Sequence, residues 1–292
     1  MIETFKQRLQ RAPAVLAPGA FDALSALLIE QAGFEAIYLS GASIAYTQLG
    51  RPDIGLVTFD HLADVVGRIR ERTTLPLIVD ADTGFGNALN VQRTVRVLEH
   101  CGATAIQLED QSFPKRCGHL AGKGLISKTE MAGKVRAAVD ARESADTVIV
   151  ARTDAIAVEG YEAAIERAEA YLEAGADVIF VEAPRTREEM ASVVQTFGDR
   201  VPLLANMVEG GKTPILTLDE LSALGFRLVI SPGAIVRALI PAAEAFLASL
   251  KANGTTRLFA DRMTDLAGVN RRIGLDDMMA LGSAYDPESN DK

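Results

Sequence analysis

Four stretches of the chain share one pattern of apolar and polar positions. Q-A-G-F-E-A-I-Y-L-S (31–40), H-C-G-A-T-A-I-Q-L-E (100–109), E-A-G-A-D-V-I-F-V-E (173–182) and A-L-G-F-R-L-V-I-S (223–231) each pass through glycine into an apolar run. Glycine suits the left-handed position that stops a helix. Each run then finishes on a polar residue: Ser40, Glu109, Glu182 and Ser231. Four further runs finish in the same way without the glycine. Val15–Leu16 leads into Pro18-Gly19, Leu75–Val79 into Asp80, Thr147–Ala151 into Arg152, and Val201–Ala205 into Asn206. All are rich in Ile, Val and Leu and do not alternate, as expected of strands buried on both faces of a parallel sheet.

Amphipathic stretches of helical length separate them. They cover Phe21–Gln31, Phe59–Arg72, Asn90–Cys101, Lys128–Arg142, Tyr161–Glu173, Arg187–Phe197, Thr217–Leu224 and Ala234–Lys251. Strand and helix alternating eight times predict an α/β fold, a (β/α)8 TIM-type barrel over residues 1–255. An open doubly wound sheet fits less well, because no glycine-rich dinucleotide turn follows the first run. Residues 256–292 fall outside the repeat and predict a helical tail, with helices over Leu258–Leu266 and Leu275–Leu281. Tails of this kind commonly pack on a neighbouring subunit, so a homo-oligomer is expected.

Composition narrows the partners. With 48% hydrophobic and 24% charged residues the 292-residue chain can bury a large core. A net charge of −9 argues against nucleic acid, which demands a basic face. An anionic ligand must therefore be held by local cations or a metal. No apolar run approaches the ~18 residues of a membrane span. The polar N-terminus has no signal-peptide core, and two cysteines cannot make a disulfide framework, so a cytoplasmic location is expected. Cys101, at a helix end before Gly102, reads as packing.

In a barrel of this kind the carboxyl ends of the strands meet at one rim, where active sites sit. This chain brings there Tyr38, Ser40, Gly41, Ala42, Asp80, Asp82, Glu109, the loop Lys115–His119, Arg152, Asp154, Glu182, Asn206 and Ser231. Any one charged residue at a strand end can simply be solvated. Several acids together repel and need a counter-charge, and all-oxygen ligands favour Mg2+ or Mn2+ over zinc. Arg152 offers a fork for a carboxylate, and Lys115 with Arg116 a clamp for a second anionic group. The turn Ser40–Ala42 offers backbone N–H groups to a third. Cys117, flanked by basic side chains on a glycine-containing loop, suits a proton donor or nucleophile. The competing reading of that loop is a salt-bridged surface turn with an incidental cysteine. His61 and His100 fall on predicted outer helices and read as solvated or packed side chains.

Several of these stretches resemble the isocitrate lyase/phosphoenolpyruvate mutase superfamily over about residues 10–255. They are Y-L-S-G (38–41), P-D-I-G (52–55), D-A-D-T-G-F-G-N (80–87), L-E-D-Q (108–111), K-R-C-G-H (115–119), A-R-T-D-A (151–155), V-E-A-P (181–184) and L-A-N-M-V-E-G-G-K-T-P (204–214). The resemblance implies a Mg2+-dependent barrel, typically a homotetramer that exchanges C-terminal helices, acting on small anionic substrates through a metal-bound enolate. It implies that Asp80 and Asp82 hold the metal, with Asp53 and Glu109 helping through water. It further implies that Tyr38, Ser40, Gly41 and Ala42 surround a substrate carboxylate, with Arg152, Glu182 and Asn206 facing the substrate. Residues from about Gln111 to Leu125 match a lid, bringing Lys115, Arg116, Gly118 and His119 to the ligand.

Cys117 points to the carbon–carbon lyases of that superfamily, in which the thiol protonates the leaving enediolate. The expected reaction cleaves a 2-hydroxy di- or tricarboxylate, of 2-methylisocitrate or 2-alkylmalate type, to pyruvate and a carboxylic acid. The most similar branches are the short lyases for 2-methylisocitrate and 2,3-dimethylmalate and the carboxyphosphonoenolpyruvate mutases; G-G-K-T-P (210–214) resembles a segment of the last, and E-G-G-K-T-P (209–214) is more similar to the 2-alkylmalate lyases than to 2-methylisocitrate lyase. Phosphonomutase chemistry and oxaloacetate hydrolysis or decarboxylation remain the enzymatic alternatives, and a non-catalytic dicarboxylate-binding barrel the alternative from another class. Tyr38 and a metal-bound water are both candidates for the base.

Overall fold

The computed structural model describes residues 3–118 and 122–285. Two compact units are present, residues 1–236 and residues 237–292. The first is built on eight parallel strands. These are β1 (Val15–Ala20), β2 (Ile37–Leu39), β3 (Leu77–Asp80), β4 (Ala105–Glu109), β5 (Val148–Thr153), β6 (Val178–Val181), β7 (Leu204–Asn206) and β8 (Leu228–Ser231). Sequence neighbours pair from β1 to β6 and again between β7 and β8, and β1 also pairs with β8. Ile179 bridges Leu203 between β6 and the approach to β7, so the sheet curls into a nearly closed barrel and the open alternative is set aside.

Strand β1 runs further than the pattern predicted, through Pro18-Gly19. Pro18 stays in register with Ser231, and Gly19 is pressed against the end of β8, where an added Cβ would stand 1.9 Å from the Pro232 carbonyl oxygen. Only glycine permits that approach.

Helices α1 (Phe5–Arg8), α2 (Ala23–Gln31), α3 (Gly41–Ile44), α4 (Phe59–Arg70), α5 (Ala88–His100), α6 (Lys128–Ala141), α7 (Tyr161–Glu173), α8 (Arg187–Phe197) and α9 (Leu218–Leu224) complete the first unit. Most begin at a capping side chain, such as Asp22, Thr58, Asn87, Ser127 or Thr217. A π-helical turn, Ala45–Leu49, extends α3 and was not foreseen. Helix α10 (Ala234–Asn253) leads into the second unit. There the expected helix over Leu258–Leu266 is replaced by a 3-10 turn, Arg257–Arg262, and by α11 (Leu266–Ile273), which Asp265 caps by accepting from the Gly268 N–H. Helix α12 (Leu275–Ala284) follows.

The core has two parts, and their separation decides where the site lies. Alternate strand residues point to opposite faces. Leu39, Leu77, Val79, Ile106 and Ile149 face outward and pack with the helices. Ala17, Tyr38, Ile78, Ala105, Val150, Phe180, Leu204 and Ile230 face inward, and α1 adds Phe5 and Leu9 to that inner cluster. One further inward step reaches Gly19, Ser40, Asp80, Gln107, Arg152, Glu182, Asn206 and Pro232; from Gln107 a second step reaches Glu109. The polar residues at the strand ends thus continue the inward-facing positions of the barrel interior. Among the described residues no helix is long and apolar enough to cross a membrane.

Candidate active site

At the carboxyl end of the barrel a small cavity of about 50 Å3 is lined by Tyr38, Ser40, Ala42, Asp53, Asp80, Glu109, Lys115, Arg116, Cys117, Gly118, Arg152, Glu182 and Asn206, among others. Most of the residues singled out from the sequence meet there, the thiol included. His119 lies outside the described residues. A larger cavity of about 710 Å3 lies alongside, sharing Lys115 with the small one and walled by Asp82 and by residues such as Val57, Phe59, Phe85 and Phe113. The small cavity holds the chemistry, because the convergent acids, the arginine and the thiol line it.

Gln107 ties Asp80 to Tyr38. Its Nε2 donates to Asp80 Oδ1 at 3.2 Å, while its Oε1 accepts from the Tyr38 hydroxyl at 3.1 Å. Asp82 adopts a left-handed backbone, φ 47°, which aspartate tolerates better than most residues. Burial pushes its pKa up to about 7, against the pull of Lys115 and with further push from Asp80 and Asp53. Burial likewise lifts Glu109 well above the ordinary carboxylate range, although Arg152 pulls the other way.

The geometry bears on three of the expectations. Lys115 does not form an anion clamp with Arg116. Its buried ammonium lies 2.5 Å from Asp53 Oδ1 and 2.7 Å from Asp82 Oδ1, whereas Arg116 is exposed. Neighbouring residues on an extended turn point apart, and the acids draw the lysine inward. Next, Asp53, Asp80 and Glu109, three of the four acids expected at the metal, line the cavity, and among the described residues no three His, Cys, Asp or Glu side chains are grouped to hold an ion. Lys115 supplies a positive charge to Asp53 and Asp82. Finally, Tyr38, one of the two candidates for the base, lines the cavity as a hydrogen-bonded phenol. Burial and the nearby Asp80 raise its pKa well above normal, and its hydroxyl donates to Gln107.

The donor chemistry nonetheless suits a hard cation. The donors are all oxygen, they are buried, and Glu109 Oε1 has no hydrogen-bond partner among the described residues. Since Mg2+ usually keeps several of its waters, it does not need a closed protein cage.

Arg152 occupies the other wall. It donates from Nε to Asp154 Oδ2 at 2.9 Å and from Nη2 to Asp154 Oδ1 at 3.0 Å, lies 3.5 Å from Glu109 Oε2, and stands over the Phe180 ring. Asn206 donates to Glu182 at 3.2 Å, leaving its own buried Oδ1 without a hydrogen-bond partner among the described residues. Ser40 caps α3, its Oγ accepting from the Ser43 N–H. At Gly41 an added Cβ would come within ordinary contact of Asp80 and Asp82.

Asp110, the second of the adjacent carboxylates on β4, faces away from the cavity. It accepts from the Asp154 N–H, the Thr153 and Tyr171 hydroxyls and Arg167, locking the end of β4 to that of β5. The loop beyond it has a firm stem. Ser112 N–H donates to Gly124, Ile126 N–H to Asp110, and Gln111 bridges Leu125. The Gln111 side chain also grips the Arg116 peptide, accepting from its N–H and donating to its carbonyl. Gly118 seats the turn on the opposite wall: an added Cβ there would stand 2.4 Å from Arg152 Nη2 and 2.5 Å from Glu182 Oε1.

Sequence reasoning missed Gln107 and Lys123. Gln107 carried a readable signal, an inward-facing amide two residues before Glu109. Lys123 carried none, since a lysine between glycines reads as solvated.

A barrel with buried acids, an arginine and a loop thiol at its carboxyl rim defines an enzyme site. The phosphoenolpyruvate phosphomutase family model matches residues 5–251, and the chain belongs to that family, within the isocitrate lyase/phosphoenolpyruvate mutase superfamily. It is 48% identical over 258 residues to a 2-methylisocitrate lyase of Aeropyrum pernix, covering 88% of this chain and 82% of the relative. It is 44% identical to a 2,3-dimethylmalate lyase of Eubacterium barkeri, covering 96% of both. A solved 2,3-dimethylmalate lyase superposes with a TM-score of 0.91 at 36% identity, over 98% of this chain and 95% of that one. A phosphonopyruvate hydrolase solved with oxalate and Mg2+ gives 0.86 at 32%, over 97% and 99%.

Proposed function

We propose that this protein is a Mg2+-dependent carbon–carbon lyase. It cleaves a 2-hydroxy acid of 2-methylisocitrate or 2-alkylmalate type to pyruvate and a carboxylic acid. The observation that carries the reading is the placement of Cys117 in the same cavity as Asp80, Glu109, Arg152 and Asn206. The similarity to two lyases over most of the chain supports it. Asp80 and Asp82 would hold the cation, with Asp53 and Glu109 reaching it through water. When bound, the cation supplies positive charge to a developing oxyanion.

The remaining steps belong to the chain. Arg152 and Asn206 orient the anionic substrate, and the closed turn over Gly118 excludes bulk water. The 2-hydroxyl proton passes to a water retained in the cavity, the second candidate for the base, as the C2–C3 bond breaks, and that bond's electron pair moves onto the departing carboxylic acid fragment. Cys117 Sγ donates a proton to the carbon that carries it, and pyruvate is left behind. Tyr38 stays protonated throughout.

A reducing cytoplasm suits the two free thiols. Homo-oligomeric assembly, as a tetramer, is supported by exposed apolar side chains in the second unit, including Leu266, Met278, Met279 and Tyr285. Light scattering tests it, and a monomer at micromolar concentration would remove it.

The activity is tested by pyruvate release from 2-methylisocitrate, 2,3-dimethylmalate, 2-methylmalate and oxaloacetate, each with Mg2+. Cys117→Ser should nearly abolish cleavage of the preferred substrate while Mg2+ binding persists. Unimpaired turnover by that variant, or turnover of a phosphonopyruvate-type substrate alone, would overturn the assignment.

A further inference from the structure

Lys123 has no place in the chemistry described so far, yet its side chain is only 1% exposed. Its ammonium donates to the Gly118 carbonyl and, at 2.6 Å, to Asp154 Oδ1. That carboxylate oxygen also accepts from Arg152 Nη2. Gly118 follows Cys117 directly and rests on the Arg152–Glu182 pair. One lysine therefore joins the turn carrying the thiol to the carboxylate that orients the arginine.

We propose that Lys123 is a positioning residue that holds the Cys117 turn and Arg152 in a single register. Two physical arguments carry this. The first is charge: Arg152 faces Asp154, Glu109 and Glu182, and without Lys123 to share Asp154 its charge would be drawn further away from an anionic ligand. The second is local mechanics. The loop's stem is closed by backbone hydrogen bonds of residues 110–112 with 124–126, none of which involves the Lys123 side chain. Losing the ammonium should therefore free the turn at Cys117 and Gly118 while the barrel stays folded. In its catalytic consequence the inference rests on the lyase reading, whereas in its structural part it does not.

The test uses the full-length protein with Lys123→Met, which keeps length and loses charge, and Lys123→Arg, which restores charge. Iodoacetamide labelling followed by peptide mass spectrometry compares Cys117 with Cys101, a half-buried thiol on a distant helix end that serves as internal control. In Lys123→Met, Cys117 should label about tenfold faster, the effect of losing one charge-assisted hydrogen bond. Cys101 should label as in the wild type, and Lys123→Arg should return Cys117 towards its original rate. In the pyruvate assay Lys123→Met should lose about 100-fold in kcat/KM, the cost of a small misplacement, with a recovery in Lys123→Arg that tracks the labelling. Unchanged Cys117 labelling would overturn the proposal. So would equal acceleration at both cysteines, which marks general loosening. If Cys117 labels as expected but the wild type cleaves none of the acids, the positioning role stands and the lyase reading falls.

Discussion

Lys115 and Asp82 form an ion pair of 2.7 Å at the mouth of the barrel, so a lysine neutralises the carboxylates expected to take a divalent cation. The two positive charges are therefore in competition. Lys115→Met should lower stability in EDTA by about 1–3 kcal/mol, less than the usual loss for a broken buried pair because Asp82 can take up a proton. Mg2+ should then raise the melting temperature of Lys115→Met more than that of the wild type. An equal response in both proteins would show that the metal and the lysine do not share the acids.

Gly118 tests how tightly the loop must close. Gly118→Ala would place a methyl group 2.4 Å from Arg152 Nη2 and 2.5 Å from Glu182 Oε1. Activity should fall about 100-fold, as expected for a misplacement near 1 Å, with little change in melting temperature. Steady-state kinetics beside a thermal melt separates the two effects, and full activity would mean that this seating is not used in turnover.

The pH dependence of stability should carry the mark of Asp154. Burial alone would raise its pKa, but Arg152 and Lys123 more than offset that and hold it at about 2, below its ordinary 3.8. A depressed folded-state pKa stabilises above the unfolded value and is lost as pH falls through the folded one. The pH-dependent part is worth about 2 kcal/mol. Asp154→Asn should therefore be less stable than the wild type at pH 7, with the gap narrowing between about pH 4 and pH 2 in urea titrations. A gap that is constant across that range would mean the carboxylate is not held down.

Tyr38→Phe examines the phenol that the structure makes a donor to Gln107. Deleting a buried hydroxyl should cost about 1–2 kcal/mol and leave Gln107 Oε1 unpaired. Since a proton-bearing phenol is not the base, kcat should fall no more than about tenfold, with the limbs of its pH profile unmoved. Loss of the basic limb would restore Tyr38 as the proton acceptor.

The order of the elements was legible because barrel strands are buried on both faces and their helices on one, which leaves contrasting periods in the chain. Helices Tyr161–Glu173 and Arg187–Phe197 follow the pattern to the residue. Ser40, Asp80, Glu109, Arg152, Glu182 and Asn206 were legible as rim residues for a related reason: each ends a largely apolar run an even number of steps beyond an inward core position, four for Glu109 and two for the others. Strand alternation then aims them all at one point.

What the chain could not disclose by itself is which charges meet. Asp110 read like Glu109, yet it is one residue out of phase and is buried in the scaffold with Tyr171 and Arg167. Lys115 read as an anion holder and Lys123 as a solvated loop residue; both are buried against carboxylates more than thirty positions away in sequence or close to it. Sequence determined the strands, their polar ends and the family, because those follow from local periodicity and motif. The partners of Lys115, Lys123 and Tyr38 were decided only by the fold, because electrostatic pairing inside a buried site depends on distances that closing the barrel alone creates.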